Sequence, residues 1–280
     1  VNSQKRFGNS ELGYTPGDLS IAYTLEYAYT DWCVGQLAAW LHEKYTADGA
    51  AYKNIFDPEK GWFRPKNKDG KWQPWPAGGR LKQWYGCIEA NPYQQGWFVP
   101  QDVDGMVTLM GGRDKVVSDL ESFFDKTPDN MMWNDYYNHA NEPVHHVPLL
   151  FNRLNKPWLT QKWTRAICRR AYHDGVEGLV GNEDVGQMSA WYVLAAIGIH
   201  PVCPGDTRQE ITSPVFDKAV IGKFTIKATN NSPENIYIQR ALLNGKPFHQ
   251  CHIDYKDLVK GGVLELVMGP SPNEQWGITK

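Results

Sequence analysis

Several features that would assign a protein to a broad class are missing from this sequence of 280 residues. No apolar run approaches the roughly 20 residues that are needed to span a bilayer, and the N-terminal residues have no apolar core of the signal-peptide kind. The 29 lysines and arginines nearly balance the 31 aspartates and glutamates and form no basic block, which excludes the charge pattern of a nucleic-acid binder. We therefore expect no membrane span and no nucleic-acid partner. Either the mature chain is soluble, or its leader lies outside this sequence.

The cysteines exclude a second class of site, because they are scattered and form no CxxC pair or other zinc-type spacing. They are Cys33, Cys87, Cys168, Cys203 and Cys251. Their odd number favours buried thiols, with one disulfide left open. A single Asn-Asn-Ser sequon at 230–232 is too weak a signal to assign a compartment.

Aromatic residues, in contrast, are abundant: they make up 13% of the chain, with 12 Trp and 14 Tyr. Such rings offer flat apolar surfaces to the C–H faces of sugars, but they also fill cores, and at this number we expect most of them in packing. The aromatic loop 52–77 poses the same choice. It either lines a cleft or packs on itself.

The segment 178–201 contains a glycine-flanked acidic turn that leads into an apolar helix. Only one residue between 188 and 197 is clearly polar, so we expect a helix that is buried on most sides and ends at Gly198. Glu183 and Asp184 then lie at the helix N-terminus, where free N–H groups and the helix dipole favour carboxylates. These residues are either a capping device or functional acids.

Glu89 is a lone acid in apolar company, close in sequence to Trp84, Tyr85, Ile88 and Tyr93. Burial among apolar groups favours the protonated form of a carboxyl, which is what a general acid needs at neutral pH. A surface glutamate without a role is the alternative interpretation.

The segment 138–146 concentrates asparagine, glutamate and three histidines in nine residues. A zinc motif of the His-Glu-x-x-His kind is absent, because Pro143 interrupts the run. Oxygen ligands from Asn141 and Glu142 would suit a hard cation such as calcium better. A solvated turn with ordinary histidines is the competing interpretation.

The helical patterns continue to about residue 203, and short runs with two-residue alternation follow from 204 onwards. Asn244-Gly245 is a strong hairpin signal among these runs. No fixed repeat is visible, but successive helix pairs of similar length suggest a bundle or a helical toroid. We predict a mainly α domain over 1–203 and a small antiparallel β unit over 204–280.

Six segments, in the same order along the chain, together resemble glycoside hydrolase family 92, the calcium-dependent exo-acting α-mannosidases. They are TLEYAYTDW (24–32), NIFDP (54–58), EANPYQ (89–94), WFVPQD (97–102), NEPVHH (141–146) and GNEDVGQMSAW (181–191). The resemblance implies an (α/α)6 barrel preceded by a β-sandwich, with inverting catalysis at their junction and a calcium ion in the sugar pocket.

The same resemblance implies roles for individual residues in the removal of terminal α-linked mannose, with α-1,2 linkages expected. Glu89 matches the general acid, and Asp184 matches the base that activates water. The expected substrate-binding residues are Asn141, Glu142, His145, Trp97 and Gln187, and the expected calcium ligands are Asn141, Glu142 and Asp184. One departure is Asn182, where many members carry an acid.

A larger departure is length, because members of that family are longer and have more barrel helices than this sequence can hold. The resemblance therefore implies a C-terminal portion of the catalytic domain, with the N-terminal part of the enzyme as partner and an apolar seam exposed. It also implies a mannose-containing glycan as substrate, in glycan degradation, and favours a secreted or periplasmic location. A non-catalytic carbohydrate-binding or structural fragment, or a different (α/α)-barrel glycosidase or phosphorylase, are the alternatives.

Overall fold

The structure, a computed structural model, describes residues 12–37 and 42–278. The chain falls into two compact units. The first consists of Val1–Thr127 and Trp133–Val144, and the second of Pro128–Met132 and His145–Lys280. The predicted domain boundary after residue 203 lies inside the second unit. It stays a prediction, because a compact unit of a chain need not be a single domain.

Short helices dominate the first unit. They are α1 (Ser20–Leu37), α2 (His42–Gly49), α3 (Pro92–Gln95), α4 (Val103–Leu109) and α5 (Arg113–Asp125), with 3₁₀ turns at Ala51–Ile55, Gly79–Leu81, Pro100–Asp102 and Glu142–Val144. A two-stranded antiparallel ribbon joins β1 (Phe56–Asp57) to β2 (Trp62–Phe63). Helix α5 buries Leu120, Phe123 and Phe124, which are spaced three and four residues apart and so share one face.

The core of the first unit is largely aromatic. The ring centroids of Trp62 and Trp97 lie 5.0 Å apart, and those of Tyr93 and Phe123 lie 4.7 Å apart, both pairs in edge-to-face geometry. Trp62 and Phe63 come from the aromatic loop 52–77 and are buried. For these two residues, packing is the interpretation that holds.

Helices and strands alternate with longer loops in the second unit. The helices are α6 (Leu150–Arg153), α7 (Pro157–Arg170), α8 (Gln187–Ile197) and α9 (Tyr255–Lys260), with a 3₁₀ turn at Val147–Leu149. The strands are β3 (Ile199–His200), β4 (Arg208–Ile211), β5 (Lys218–Ile221), β6 (Phe224–Thr229), β7 (Tyr237–Leu243), β8 (Lys246–Phe248), β9 (His252–Asp254) and β10 (Gly262–Gly269).

The strands form two sheets, a three-stranded one in the order β3-β4-β9 and a five-stranded one in the order β5-β6-β10-β7-β8. The hairpin between β7 and β8 turns at Asn244-Gly245, as predicted. All pairs are antiparallel except β6 with β10, where Phe224 lies opposite Gly262 in parallel register. The prediction of a purely antiparallel unit is wrong at this pair, because alternation within a strand does not encode the direction of its partner.

Helix α8 occupies the apolar segment predicted to be helical, and Gly198 ends it in the left-handed conformation (φ 107). Its buried residues Met188, Trp191 and Ala195 lie on one side, whereas 53% of Val193 is exposed. The expectation of a helix buried on most sides is therefore wrong in this structure, because Gln187, Ser189 and Ala190 are exposed as well.

The structure thus has the helices and the mostly antiparallel sheets that the sequence predicts, and the closed helical toroid stays a prediction. All five cysteines are free thiols, and four of them are buried. Within residues 12–37 and 42–278, none of the helices combines the length and the apolar character required to cross a membrane.

Candidate active site

Glu89 lies in a tight turn of the first unit that is closed by a hydrogen bond from Trp84 N to Ala90 O of 2.9 Å. Trp84 (φ 64) and Glu89 (φ 50) both adopt the left-handed conformation, which costs an L residue about 1–2 kcal/mol. Gly86 and Cys87 are buried beneath them. The inner residues of the turn are therefore buried, whereas the side chain of Glu89 is exposed. The sequence suggests instead a carboxyl enclosed by its apolar neighbours.

The residues after this turn hold a second segment in place. Asn91 and Gln94 form a reciprocal capping box at the start of α3. The same two side chains also donate outwards: Asn91 Nδ2 to Asp135 O at 3.0 Å, and Gln94 Nε2 to Asn134 O at 2.6 Å and Tyr136 O at 2.8 Å. The segment 134–136 is thereby tied to the turn that carries Glu89.

Glu89 is also tied to the polar segment 138–146, of which residues 138–144 belong to the first unit. Asn141 Nδ2 donates to the backbone carbonyl of Glu89 at 3.0 Å. Asn141 is buried and Glu142 is half-buried. The structure therefore brings together three of the predicted site residues that lie in the first unit.

Two clefts of the first unit share Glu89 as a lining residue. The Glu142 cleft, of about 410 Å³, is lined by Glu26, Tyr29, Thr30, Ile88, Glu89, Gln95, Phe98, Asn141, Glu142 and Pro143. The Trp84 cleft, of about 490 Å³, is lined by Gln83, Trp84, Glu89, Gln94, Trp133, Asn134, Asp135 and Asn138. Each combines rings with a few polar groups, as ligand sites do.

Glu26 is a carboxyl that the sequence analysis did not single out as a site residue. It comes from α1 and lines the Glu142 cleft beside Glu89 and Glu142. Burial raises the pKa of Glu26, although a hydrogen bond from Gln95 (3.4 Å) acts in the opposite direction. An available signal was its place inside the TLEYAYTDW segment, as an acid in a largely apolar helix.

Asp184 lies in the second unit, in the turn before α8. Three consecutive residues have positive φ: Asp184 (42), Val185 (55) and Gly186 (95). The Glu183 carboxylate accepts hydrogen bonds from Gly186 N and from Ser189 N, and the bonds to Ser189 are the main cause that lowers the pKa of Glu183. Glu183 is thus the capping carboxylate, and the neighbouring Asp184 has an exposed side chain.

Two more predicted site residues, His145 and Gln187, meet in the second unit, where Gln187 Nε2 and His145 Nδ1 are 3.3 Å apart. Trp191 Nε1 donates to His145 O at 2.8 Å. Close to them, burial lowers the pKa of His200 to about 4, with smaller contributions in the same direction from His145 and His146. This part of the second unit therefore keeps the His200 side chain as a buried neutral imidazole, with its ring centroid 5.8 Å from that of Trp191.

Trp97 is the predicted substrate-binding residue whose position does not suit that role. Its side chain is fully buried and packs against Trp62, Tyr93 and Phe123. A buried indole in an aromatic core offers no surface to a sugar. Its segment pattern alone could not distinguish this position from an exposed one.

The predicted calcium ligands of the first unit, Asn141 and Glu142, offer oxygen donors. Asn141 uses its amide nitrogen on Glu89 O, so its Oδ1 and the Glu142 carboxylate provide two oxygen donors of the type that calcium prefers. Among the described residues, no group of three or more His, Cys, Asp or Glu side chains is arranged to hold a metal ion. The donor type fits calcium, and the set in the first unit is incomplete.

Comparison with known proteins places this geometry in a family. The model of the glycosyl hydrolase family 92 catalytic domain matches residues 3–270. A curated relative, described as an uncharacterized secreted glycosidase of Arthroderma benhamiae, is 30% identical over an alignment of 290 positions, which covers 92% of this chain and 36% of that protein.

Solved structures agree with this match. The family GH92 alpha-mannosidase BT3965 from Bacteroides thetaiotaomicron superposes with a TM-score of 0.88 at 33% identity, over 96% of this chain and 37% of that one; it has also been solved in complex with mannoimidazole. The inverting mannosidase BT2199 from Bacteroides thetaiotaomicron VPI-5482 gives a TM-score of 0.87 at 32% identity, over 96% of this chain and 40% of that one.

The chain thus spans less than half the length of each of these relatives. The family match nevertheless runs over nearly all of its residues, and the two turns with exposed carboxylates, at Glu89 and Asp184, lie inside it. The chain belongs to glycosyl hydrolase family 92.

Proposed function

We propose that the protein carrying this chain is an α-mannosidase that removes terminal α-linked mannose, with α-1,2 linkages preferred, from glycans by an inverting reaction. Family membership supports glycoside hydrolysis, and the mannosidases among the related structures support the sugar. The observation that carries the proposal is the exposed Glu89 carboxyl, held by a strained turn where two clefts adjoin.

Glu89 acts in this proposal as the general acid. A general acid must reach the oxygen between the departing sugar and the rest of the substrate. An exposed carboxyl on a turn whose inner residues are buried meets this need, because the backbone is held in place while the side chain stays accessible. The hydrogen bond from Asn141 to the Glu89 carbonyl adds to that fixation.

Asp184 acts as the general base that activates water. Inversion needs a base that is separate from the acid, and the capping work at the start of α8 is done by Glu183. Asp184 is therefore available for another role. The positive φ of Asp184 and of Val185 is the kind of backbone strain that accompanies functional sites.

Calcium would be bound by Asn141 and Glu142, with Asp184 as a further proposed ligand. A bound calcium ion would contact sugar hydroxyls and orient the ring. The same proposal includes an (α/α)6 barrel as the fold and the N-terminal portion of the enzyme as partner. It also includes glycan degradation as the process and a secreted or periplasmic location. The location is supported by the curated relative, which is described as secreted.

The decisive experiment compares two variants on two substrates. In the protein carrying this chain, Glu89→Gln should lose roughly 10²–10⁴-fold in kcat on a mannose disaccharide and much less on an activated aryl mannoside, since a good leaving group needs no proton. Asp184→Asn should be poor on both, because water attack is common to them. Equal losses for Glu89→Gln on the two substrates would remove it as the acid.

The stereochemistry and the metal need separate measurements. Early product observed by NMR should be β-mannose, and α-mannose would contradict inversion. Chelation should abolish activity and added calcium should restore it, whereas full activity in excess chelator would remove calcium from the proposal. The isolated 280-residue chain should show little activity and should self-associate, because apolar side chains such as Val193 remain exposed on α8.

A further inference from the structure

Two exposed tryptophans stand beside Glu89 in the Trp84 cleft. Trp84 is 61% exposed and Trp133 is 54% exposed, and both line the cleft. Among the described tryptophans these are the only ones classed as exposed. Indole rings have flat apolar faces suited to a sugar, and these two offer theirs to the cleft beside a candidate catalytic carboxyl.

Both rings are carried by segments that the structure holds in place. Trp84 belongs to the strained turn closed by its own N–H on Ala90 O. Trp133 precedes the segment 134–136, which accepts hydrogen bonds from Asn91 and Gln94.

A further contact links these two segments to each other. Gln83 Nε2 donates to Asp135 Oδ1 at 2.9 Å. Because Gln83 adjoins Trp84 in the chain and Asp135 lies two residues after Trp133, this bond joins the two walls of the cleft. Pre-organised walls bind a ligand with less loss of side-chain entropy than mobile ones do.

The position of Glu89 says which part of a substrate each cleft would hold. A general acid protonates the bridging oxygen, which has the departing mannose on one side and the leaving group on the other. Glu89 lines both clefts, so the two sides of that oxygen correspond to the two clefts. The Glu142 cleft carries the oxygen donors proposed to bind calcium and the mannose, which leaves the Trp84 cleft for the leaving group.

We propose that the Trp84 cleft is the leaving-group subsite, in which Trp84 and Trp133 contact the apolar face of the sugar next to the scissile bond. The inference rests on the proposed function. Asn134, Asp135 and Asn138 line the same cleft and supply polar groups for that sugar's hydroxyls. The favoured substrates are therefore mannosides whose leaving group is itself a sugar, as in an oligosaccharide, in preference to those with a small leaving group.

The test measures kcat/KM of Trp84→Ala and Trp133→Ala, in the protein carrying this chain, on a mannose disaccharide and on α-mannosyl fluoride. Fluoride leaves without occupying the cleft, so each variant should lose about tenfold on the disaccharide and less than about twofold on the fluoride. Trp84→Phe and Trp133→Phe should recover most of the loss, because a flat ring remains.

Trp158→Ala is the matched control, since Trp158 is a half-buried tryptophan of α7 in the second unit. It should leave the ratio of the two substrates unchanged. Because both cleft tryptophans are more than half exposed, their substitution should also leave the unfolding midpoint nearly unchanged.

The remaining outcomes separate the inference from the function on which it rests. Equal losses on the disaccharide and the fluoride, or no loss on either, would overturn the leaving-group assignment while the mannosidase function stood. A wild-type protein that hydrolysed neither substrate would overturn the proposed function and the inference with it.

Discussion

The turn that carries Glu89 and the turn that carries Asp184 place an exposed carboxyl on backbone of positive φ by different means. In the first, Gly86, Cys87 and Ala90 are buried. In the second, Asp184 and its next neighbour are both exposed. One turn is held from below by the core of its unit, and the other is held by hydrogen bonds within a few residues.

The partners of the two turns differ in the same way. Glu89 O accepts a hydrogen bond from Asn141, 52 residues further along the chain. The turn at Asp184 relies on Glu183, whose partners are three and six residues away. The comparison teaches that the Glu89 turn is positioned by tertiary packing and the Asp184 turn by local hydrogen bonds, so the two turns should fail under different perturbations.

The largest effect should come from adding a methyl group at Gly86, in the buried part of the turn that carries Glu89. In Gly86→Ala the new Cβ would lie 2.7 Å from Pro65 Cγ and 2.8 Å from Ile21 Cδ1, at a φ of 76. Left-handed strain and overpacking together should destabilise the fold by about 2–5 kcal/mol. Urea unfolding of the protein that carries this chain measures this loss.

Gly186→Ala is the matched change in the turn of Asp184. A Cβ there meets nothing within 4 Å, although φ is 95. Strain alone should cost about 1–2 kcal/mol. Equal losses at the two glycines would contradict the difference in packing.

Mild acid should destabilise the second unit. Burial lowers the pKa of His200 from 6.5 to about 4. Between these pH values His200 is protonated in the unfolded chain and neutral in the folded chain. Stability should therefore fall by up to about 3 kcal/mol as the pH drops from 6.5 to 4, and then level off. Unfolding free energies across this range test the slope.

A histidine outside the core provides the control for this pH dependence. His200→Gln should flatten the slope, whereas the same change at the exposed His249 should leave it as it is. A slope that survived His200→Gln would assign the acid sensitivity to other groups.

A smaller effect is expected from the capping carboxylate. In Glu183→Gln an amide nitrogen replaces one of the two oxygens that accept from Gly186 N and Ser189 N, so one of these backbone N–H groups loses its acceptor and the turn that carries Asp184 loosens. If Asp184 is the base, kcat should fall by on the order of tenfold on good and poor leaving groups alike. Faster hydrogen exchange at Gly186 and Ser189 should accompany it.

The same hydrogen bonds make the stability of the turn that carries Asp184 depend on pH. The hydrogen bonds from Ser189 and Gly186 lower the pKa of Glu183 from 4.5. The ionised Glu183 carboxylate therefore stabilises the turn above pH 4.5, and this stabilisation should be lost as the pH falls through the lowered pKa. Exchange at the two amides that stayed slow in Glu183→Gln would show that this carboxylate does not hold the turn.

The smallest effect should be a gain in stability. Val185 has a fully exposed side chain (108%) at a φ of 55, so Val185→Gly removes left-handed strain without losing packing. The net gain should be about 1 kcal/mol or less, because glycine also loses more entropy on folding. Val176→Gly, at an equally exposed valine (101%) outside the positive-φ residues, should give no gain.

Much of the local structure could be predicted from the sequence, since it depends on neighbouring residues. The helix over 188–197, its end at Gly198 and the hairpin at Asn244-Gly245 follow from an apolar run and from residues that tolerate positive φ. The capping interpretation of the acidic turn is also confirmed, although only for Glu183. The family could be recognised because its segments are contiguous.

Other features depend on residues far apart in the chain, which pattern reading does not connect. The alternation of β10 did not show that β6 would be its parallel neighbour. Composition did not show that Trp97 is buried while Trp84 is exposed. Glu26 enters the Glu142 cleft only because α1 packs in the first unit beside residues that lie more than a hundred positions later.

For this protein, the residue types and their order settle which segments are helices and turns, which acids stand at those turns, and to which family the chain belongs. The tertiary structure alone decides which rings are exposed, which faces of α8 are covered, and which clefts Glu89 lines. The reason is physical: dihedral preferences and capping bonds act over a few residues, whereas burial and cleft formation depend on contacts between distant segments.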